Sequence, residues 1–132
     1  MNPISIIVDD HDTLRTLLID WLGSTFPNIH FIGAASGEEA LDLALRHHPK
    51  LILMDVGLPG MNGIEATRRI KQELPHTFII IHTIHDDLAY RQDAVSAGAD
   101  VYISKSKTQT DLMPILLKVF SAAGSIDGNG YS

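Results

Sequence analysis

Ile4-Ser5-Ile6-Ile7-Val8-Asp9-Asp10-His11 is the stretch that decides how this chain folds. Four of its first five residues are branched aliphatics, which suit a strand, and two adjacent carboxylates end the run. The same grammar returns at Leu51-Ile52-Leu53-Met54-Asp55, apolar throughout and again closed by an acid. A run without polar alternation fits a strand covered on both faces, as in a parallel sheet. Ligands of open parallel sheets bind at the carboxyl ends of the strands. If the two strands are neighbours, Asp9, Asp10 and Asp55 converge on one small volume.

Outward from these strands, apolar runs and amphipathic stretches alternate five times. Leu14, Leu17, Leu18, Trp21 and Leu22 recur at helical spacing, and Pro27-Asn28 breaks the pattern. Ile29 to Ala34 reads as a second strand. Ser36-Gly37-Glu38-Glu39 is a capping box, which predicts a helix with Leu41, Ala44 and Leu45 inward and Pro49 at its end. Gly57-Leu58-Pro59-Gly60-Met61-Asn62-Gly63 is a loop by its density of turn residues. Ile64, Thr67, Ile70 and Leu74 predict a third helix, and Phe78 to His82 a fourth strand. A fourth helix over roughly 87–97 has Leu88 and Val95 as its only large aliphatics, with Gly98 placed as a left-handed cap. Val101 to Ser104 reads as a fifth strand, and Leu112, Ile115, Leu116, Val119 and Phe120 as the face of a fifth helix. The expected fold class is therefore α/β, a five-stranded parallel sheet of (βα)5 plan with helices on both faces.

Bulk properties remove several function classes. The 132 residues fit one domain. Without cysteine there is no disulfide framework, thiolate metal site or thiol nucleophile. The formal charge is −6, with no Lys/Arg-rich run, which disfavours direct phosphate-backbone binding. No stretch has the length and apolarity of a membrane span or a secretory signal, so no membrane partner and a cytoplasmic location are expected.

In a parallel (βα)5 plan every strand end feeds one rim. There the sequence places Asp9 and Asp10, Asp55, Thr83 and Lys105. Two carboxylates about 4 Å apart repel by on the order of 4 kcal/mol at an effective dielectric near 20. A bound cation, a proton or the lysine ammonium relieves this. Oxygen ligands without imidazole favour Mg²⁺. A phosphoryl group at such a rim would meet metal, ammonium and hydroxyl together, and a carboxylate nucleophile would yield an acyl phosphate. Simpler readings exist for each residue: Asp9 and Asp10 as helix caps, Asp55 as a turn residue, Thr83 as a strand end, Lys105 as a solvated charge and Tyr102 as a half-buried aromatic. His82 and His85 beside Asp86 and Asp87 also invite a zinc reading.

Taken in order, Val8-Asp9-Asp10-His11, Leu53-Met54-Asp55, Leu58-Pro59-Gly60-Met61-Asn62-Gly63, Thr83 and Gly98-Ala99-Asp100-Val101-Tyr102-Ile103-Ser104-Lys105 resemble the receiver domain of bacterial two-component response regulators. Asp-Asp-His and the Lys-Ser after the fifth strand are similar to the NarL/FixJ-type subfamily. The resemblance covers residues 4 to about 121. It implies a flavodoxin-like strand order 2-1-3-4-5, with Asp55 accepting a phosphoryl group from a phosphohistidine on a sensor histidine kinase. It implies Mg²⁺ held by Asp10, by Asp9 mainly through water, by Asp55 and by the Gly57 backbone carbonyl. Thr83 and Lys105 would bind the phosphoryl oxygens, and Thr83 and Tyr102 would form the switch.

Ser106 stands where many members carry proline, Ile84 where a smaller residue is common and access to Asp55 would be crowded. Gly57 and His85 occupy the variable positions that tune hydrolysis. The domain is expected over residues 1–122, with 123–132 a flexible tail or the start of a linker. Dimerisation on phosphorylation is a further expectation from the resemblance. DNA would be met only through a C-terminal effector domain, for which the residues after Phe120 leave no room. The chain is not expected to be an enzyme beyond its own phosphorylation and dephosphorylation. Two alternatives stand beside this reading: an interaction domain that signals without phosphorylation, and a Mg²⁺-dependent phosphohydrolase. Gly57 sits where such hydrolases carry a second acid.

Overall fold

Branched aliphatic runs interrupted by polar turns give a computed structural model with five parallel strands, describing residues 2–124. The elements are β1 (Ile4–Val8), α1 (Asp12–Thr25), β2 (His30–Ala34), α2 (Gly37–His47), β3 (Leu51–Met54), α3 (Gly63–Glu73), β4 (Phe78–Thr83), α4 (Leu88–Ala97), β5 (Val101–Ser104) and α5 (Met113–Gly124). The strand order is β2-β1-β3-β4-β5, as expected. The helix α5 runs through Gly124, and the rest of the expected tail, 125–132, lies outside the described residues. No helix among the described residues is long and apolar enough to cross a membrane.

Successive strand side chains alternate between the two faces, so each central strand feeds two cores. Ile6, Val8, Ile52, Met54, Ile79 and Ile81 face one way, against Ala40 and Ala44 of α2, Ala66 and Ile70 of α3, and Ala94 and Ala97 of α4. Ile7, Leu51, Leu53, Ile80 and Ile103 face the other way, against Leu18 and Leu22 of α1 and Leu112, Leu116 and Phe120. Phe120 meets Phe26 and Phe31 edge-on, with centroids 4.9 and 6.0 Å apart. Both faces are therefore closed by helices.

Several expected core positions turn outward. Leu17 and Leu45 are exposed at 59% and 43%, and on α4 Leu88 and Val95 are exposed at 68% and 70%. The helix packs on the sheet through Ala94 and Ala97 instead, because small side chains let its backbone approach closely. Gly98 ends α4 in the left-handed conformation, φ 101°, as its position suggested. Ser36 caps α2 by accepting from the Glu39 N–H at 3.1 Å, but Glu39 reaches back to the Ala35 N–H rather than to Ser36.

Between β5 and α5 the chain departs from a single regular helix. A 3₁₀ turn (Lys105–Lys107) and one wide π turn (Thr108–Leu112) precede α5. Pro114 accounts for this locally. It has no N–H to donate, and its ring would crowd the carbonyl four residues earlier in a continuous α-helix. The Lys105–Ser106 peptide is trans.

Candidate functional site

Register decides what meets at the carboxyl rim. Val8 pairs with Met54, and the Asp55 N–H donates to the Val8 carbonyl at 3.0 Å, so Asp9 and Asp55 emerge side by side. Thr83 pairs with Ser104, which puts Lys105 one residue beyond the same edge. Asp9, Asp10 and Asp55 each offer a carboxylate oxygen within 4.8 Å of the others. Among the described residues this is the one grouping with the makings of a metal site. The zinc reading fails: His82 is bonded to Thr108 and Asp86 pairs with Arg91.

Lys105 holds the pair of buried acids together. Its Nζ donates to Asp9 Oδ2 and to Asp55 Oδ2, both at 2.8 Å. Burial alone would push the Lys105 pKa down, but its hydrogen bonds to Asp55 and then Asp9 outweigh this and hold it above the usual lysine value. The site is thus a charged triad with a cation already between its carboxylates. Asp9 is also fixed through its other oxygen, which accepts from the His11 N–H at 2.9 Å. Arg15 Nη1 donates to the Asp9 carbonyl at 2.7 Å, a contact the sequence pattern did not flag. His11 caps α1 through Nδ1, so neither Asp9 nor Asp10 serves as the cap residue. Asp10 is left exposed beside the triad.

The other oxygen of Asp55 accepts from the Gly57 N–H at 3.3 Å. Above it opens a cavity of about 540 Å³ lined by Asp10, His11, Gly57, Ile84, His85 and Lys105. Ile84 lines this cavity beside Asp55 and is itself 73% exposed. A Cβ added at Gly57 would sit 3.2 Å from His85 Nε2, so the imidazole takes the space that a side chain there would use.

Thr83 is fully buried and makes no hydrogen bond to the triad. Its hydroxyl accepts from the His85 N–H at 3.2 Å. The Tyr102 hydroxyl donates to the carbonyl of the same residue, His85, and Arg91 lies 4.7 Å above the Tyr102 ring. Burial raises the phenol's pKa, which keeps it a donor. The two expected switch residues are therefore clipped to opposite sides of one backbone unit.

His82 was missed as anything but a zinc ligand. It is 3% exposed, and its Nε2 lies 2.7 Å from Thr108 Oγ1. The Thr108 hydroxyl donates its one proton to the Lys105 carbonyl at 2.9 Å, so the imidazole Nε2–H must be the donor to Thr108. Burial, then the Lys105 charge, lowers the His82 pKa to about 4. An unfolded histidine takes up its proton near 6.5, so acid favours the unfolded chain between the two values. We expect His82 to withdraw roughly 3 kcal/mol of stability as pH falls from 6.5 through 4. Urea titrations across that range should show a flatter loss in His82→Gln; identical slopes would contradict it.

Comparison with known proteins accords with this geometry. A response regulator receiver domain family model matches residues 5–117. The transcriptional activator protein ExaE of Pseudomonas putida is 33% identical over 122 residues, 92% of this chain and 57% of that protein. The response regulator protein VraR of Staphylococcus aureus is 39% identical over 116 residues, 86% of this chain and 54% of that protein. The chain thus spans about half the length of the curated relatives it matches. Among solved structures, a LuxR-family two-component response regulator from Aurantimonas superposes with a TM-score of 0.81 at 31% identity, covering 92% of this chain and 87% of that one. The chemotaxis protein CheY4 of Vibrio cholerae, at 24% identity and TM-score 0.80, covers 90% of this chain and 99% of that one and shares the fold. With a matching domain model over most of its length and LuxR/NarL-type relatives, the chain belongs to the response regulator receiver domain family.

Proposed function

We propose that Asp55 is the phosphoacceptor of this receiver domain, taking its phosphoryl group from a phosphohistidine on a sensor histidine kinase. The observation that carries this is the placement of Asp55: at the floor of an open cavity, hydrogen-bonded to a lysine ammonium, beside two further carboxylates. An Asp55 carboxylate oxygen attacks phosphorus while the phosphorus–nitrogen bond to the donor imidazole breaks. The imidazole leaves with the bonding electrons and an acyl phosphate forms.

The donor set fits Mg²⁺, since three clustered carboxylates without thiolate or imidazole favour a hard cation that also binds phosphate. Asp9, Asp10, Asp55 and the Gly57 carbonyl would hold it, and it would supply charge neutralisation for the incoming phosphoryl group. Lys105 supplies a second positive charge and orients the Asp55 oxygen. Thr83 would rotate its hydroxyl to donate a hydrogen bond to a phosphoryl oxygen, and that rotation would carry it off the His85 N–H. Because Tyr102 bonds the carbonyl of that same residue, a shift there reaches the exposed surface of α4 and β5. In the relative named a transcriptional activator the matched part is 57% of the protein, so we read the output here as transcriptional control through a region beyond the receiver. Phosphorylation-dependent pairing of two copies belongs to the same reading.

Incubation with Mg²⁺ and acetyl phosphate should add one phosphoryl group to the intact mass, and Asp55→Asn should abolish it. An adduct that survives Asp55→Asn would sink the assignment, as would the wild-type protein's failure to gain one.

A further inference from the structure

Between Lys105 and Leu112 the chain has little to hold it. Ser106, Lys107, Gln109, Thr110 and Asp111 are all exposed, and Thr108 alone of residues 106–111 turns partly inward. On its α1 side the segment borders an open groove of about 630 Å³ lined by Leu14, Leu17, Leu18 and Trp21, so no packed helix backs it there. Its other side-chain hydrogen bonds are local. Ser106 bonds Ser104, and Thr110 bonds Lys107 and Asp111.

Among the described residues, one side-chain bond besides those of Lys105 ties this segment to another element. His82, buried in β4, meets the Thr108 hydroxyl at 2.7 Å, and that hydroxyl meets the Lys105 carbonyl at 2.9 Å. The relay thus runs from the rigid centre of the sheet to the backbone of the residue whose ammonium bridges Asp9 and Asp55. We infer that His82 and Thr108 are positioning residues for the phosphorylation site, fixing the Lys105 backbone so that its ammonium sits between the two carboxylates. The inference rests on the phosphoacceptor reading. Neither residue touches the reacting atoms; both act through Lys105.

Two consequences of opposite sign separate this from a general loss of stability. Without the Thr108 hydroxyl, Lys105 drifts from its place and the phosphoryl group loses an oriented counter-charge. The same drift removes a positive charge from between the carboxylates, so they bind a divalent cation more tightly. A merely structural defect would weaken both.

The full chain would be compared as wild type, Thr108→Val and Thr108→Ser, with His82→Gln as a variant that keeps a side-chain N–H donor. Each would be read for the rate of acetyl-phosphate labelling by intact mass and for Mg²⁺ affinity by calorimetry. Thr108→Val should label on the order of tenfold more slowly, while Thr108→Ser stays within about twofold of wild type, in keeping with the cost of misplacing a catalytic group. Thr108→Val should also bind Mg²⁺ more tightly than wild type. His82→Gln should resemble Thr108→Ser. Thr108→Val that matches wild type in either readout would overturn the inference. So would Thr108→Ser or His82→Gln as impaired as Thr108→Val. Wild-type protein that takes no phosphoryl group would overturn the phosphoacceptor reading instead, and the Mg²⁺ arm would still report on where Lys105 sits.

Discussion

Gly63→Ala is expected to cost about 3 kcal/mol or more of unfolding free energy, at or beyond the upper end of ordinary overpacking. The reason is room, not backbone conformation. A Cβ at residue 63 would run into the Asp55 carbonyl oxygen, and would lie 2.7 Å from the Asp55 carbonyl carbon and 2.9 Å from Met54 Cγ. Two of these three atoms are backbone at the end of a central strand and cannot swing aside. The helix α3 is held against them, since the Gly63 N–H donates to the Val56 carbonyl at 3.0 Å and Asn62 caps the first turn. To relieve the contact, either α3 must withdraw or Asp55, the proposed phosphoacceptor, must move. We therefore expect the surviving folded fraction of Gly63→Ala to label more slowly as well as to unfold earlier. Denaturant unfolding followed by Trp21 fluorescence checks the first effect, and a wild-type midpoint would contradict the packing argument.

Lys105→Met should be comparably severe, and its defect should depend on the buffer. The Asp9 and Asp55 side chains are 2% and 9% exposed, and each meets the ammonium at 2.8 Å. Removing one member of a buried ionic cluster typically costs about 3–5 kcal/mol, because the remaining charge is left uncompensated. Here two like charges remain. Methionine keeps most of the apolar stem, so lost packing contributes little. In chelator-treated buffer we expect a large fall in stability, and in millimolar Mg²⁺ much of it restored. Phosphorylation should slow by about 100-fold even when Mg²⁺ has restored folding, the scale of removing one oriented charge donor. Thermal unfolding with and without Mg²⁺ reads the first part. Equal losses in both buffers would mean that the ammonium's role is packing.

The fold was legible because parallel α/β architecture writes itself in long apolar runs. Leu51 to Met54, a short apolar run between Pro49 and a glycine-rich loop, reads as a buried strand, and an acid after it then lies at the rim. Once the strands were ordered, Asp9, Asp10, Asp55 and Lys105 had to share that rim, and they do. What escaped the sequence depends on what lies across from a residue. On α4 the only large aliphatics, Leu88 and Val95, did not identify the inward face, which belongs to Ala94 and Ala97: the gap between sheet and helix is filled from the strand side by isoleucines. The segment 105–112 has no apolar period to announce its 3₁₀ and π turns, and only Pro114, which bars a continuous α-helix there, marks it in the sequence. His82 left one signal, a single imidazole in an aliphatic strand that must find a partner. That partner, Thr108, is 26 residues away and no spacing rule connects them. Thr83 and Tyr102 were anticipated as a pair, but their meeting point on the His85 backbone depends on loop geometry that local pattern does not carry.

Reductive trapping shows whether the phosphoryl group lands on the Asp55 carboxylate. The protein would be phosphorylated with acetyl phosphate and Mg²⁺, reduced at once with borohydride, digested and mapped by peptide mass. Borohydride reduces an acyl phosphate and spares free carboxylates, so the mark records where the phosphoryl group was. Reduction is expected at position 55 alone. Reduction at position 9 or 10, or phosphate found stably on a hydroxyl or an imidazole, would contradict it.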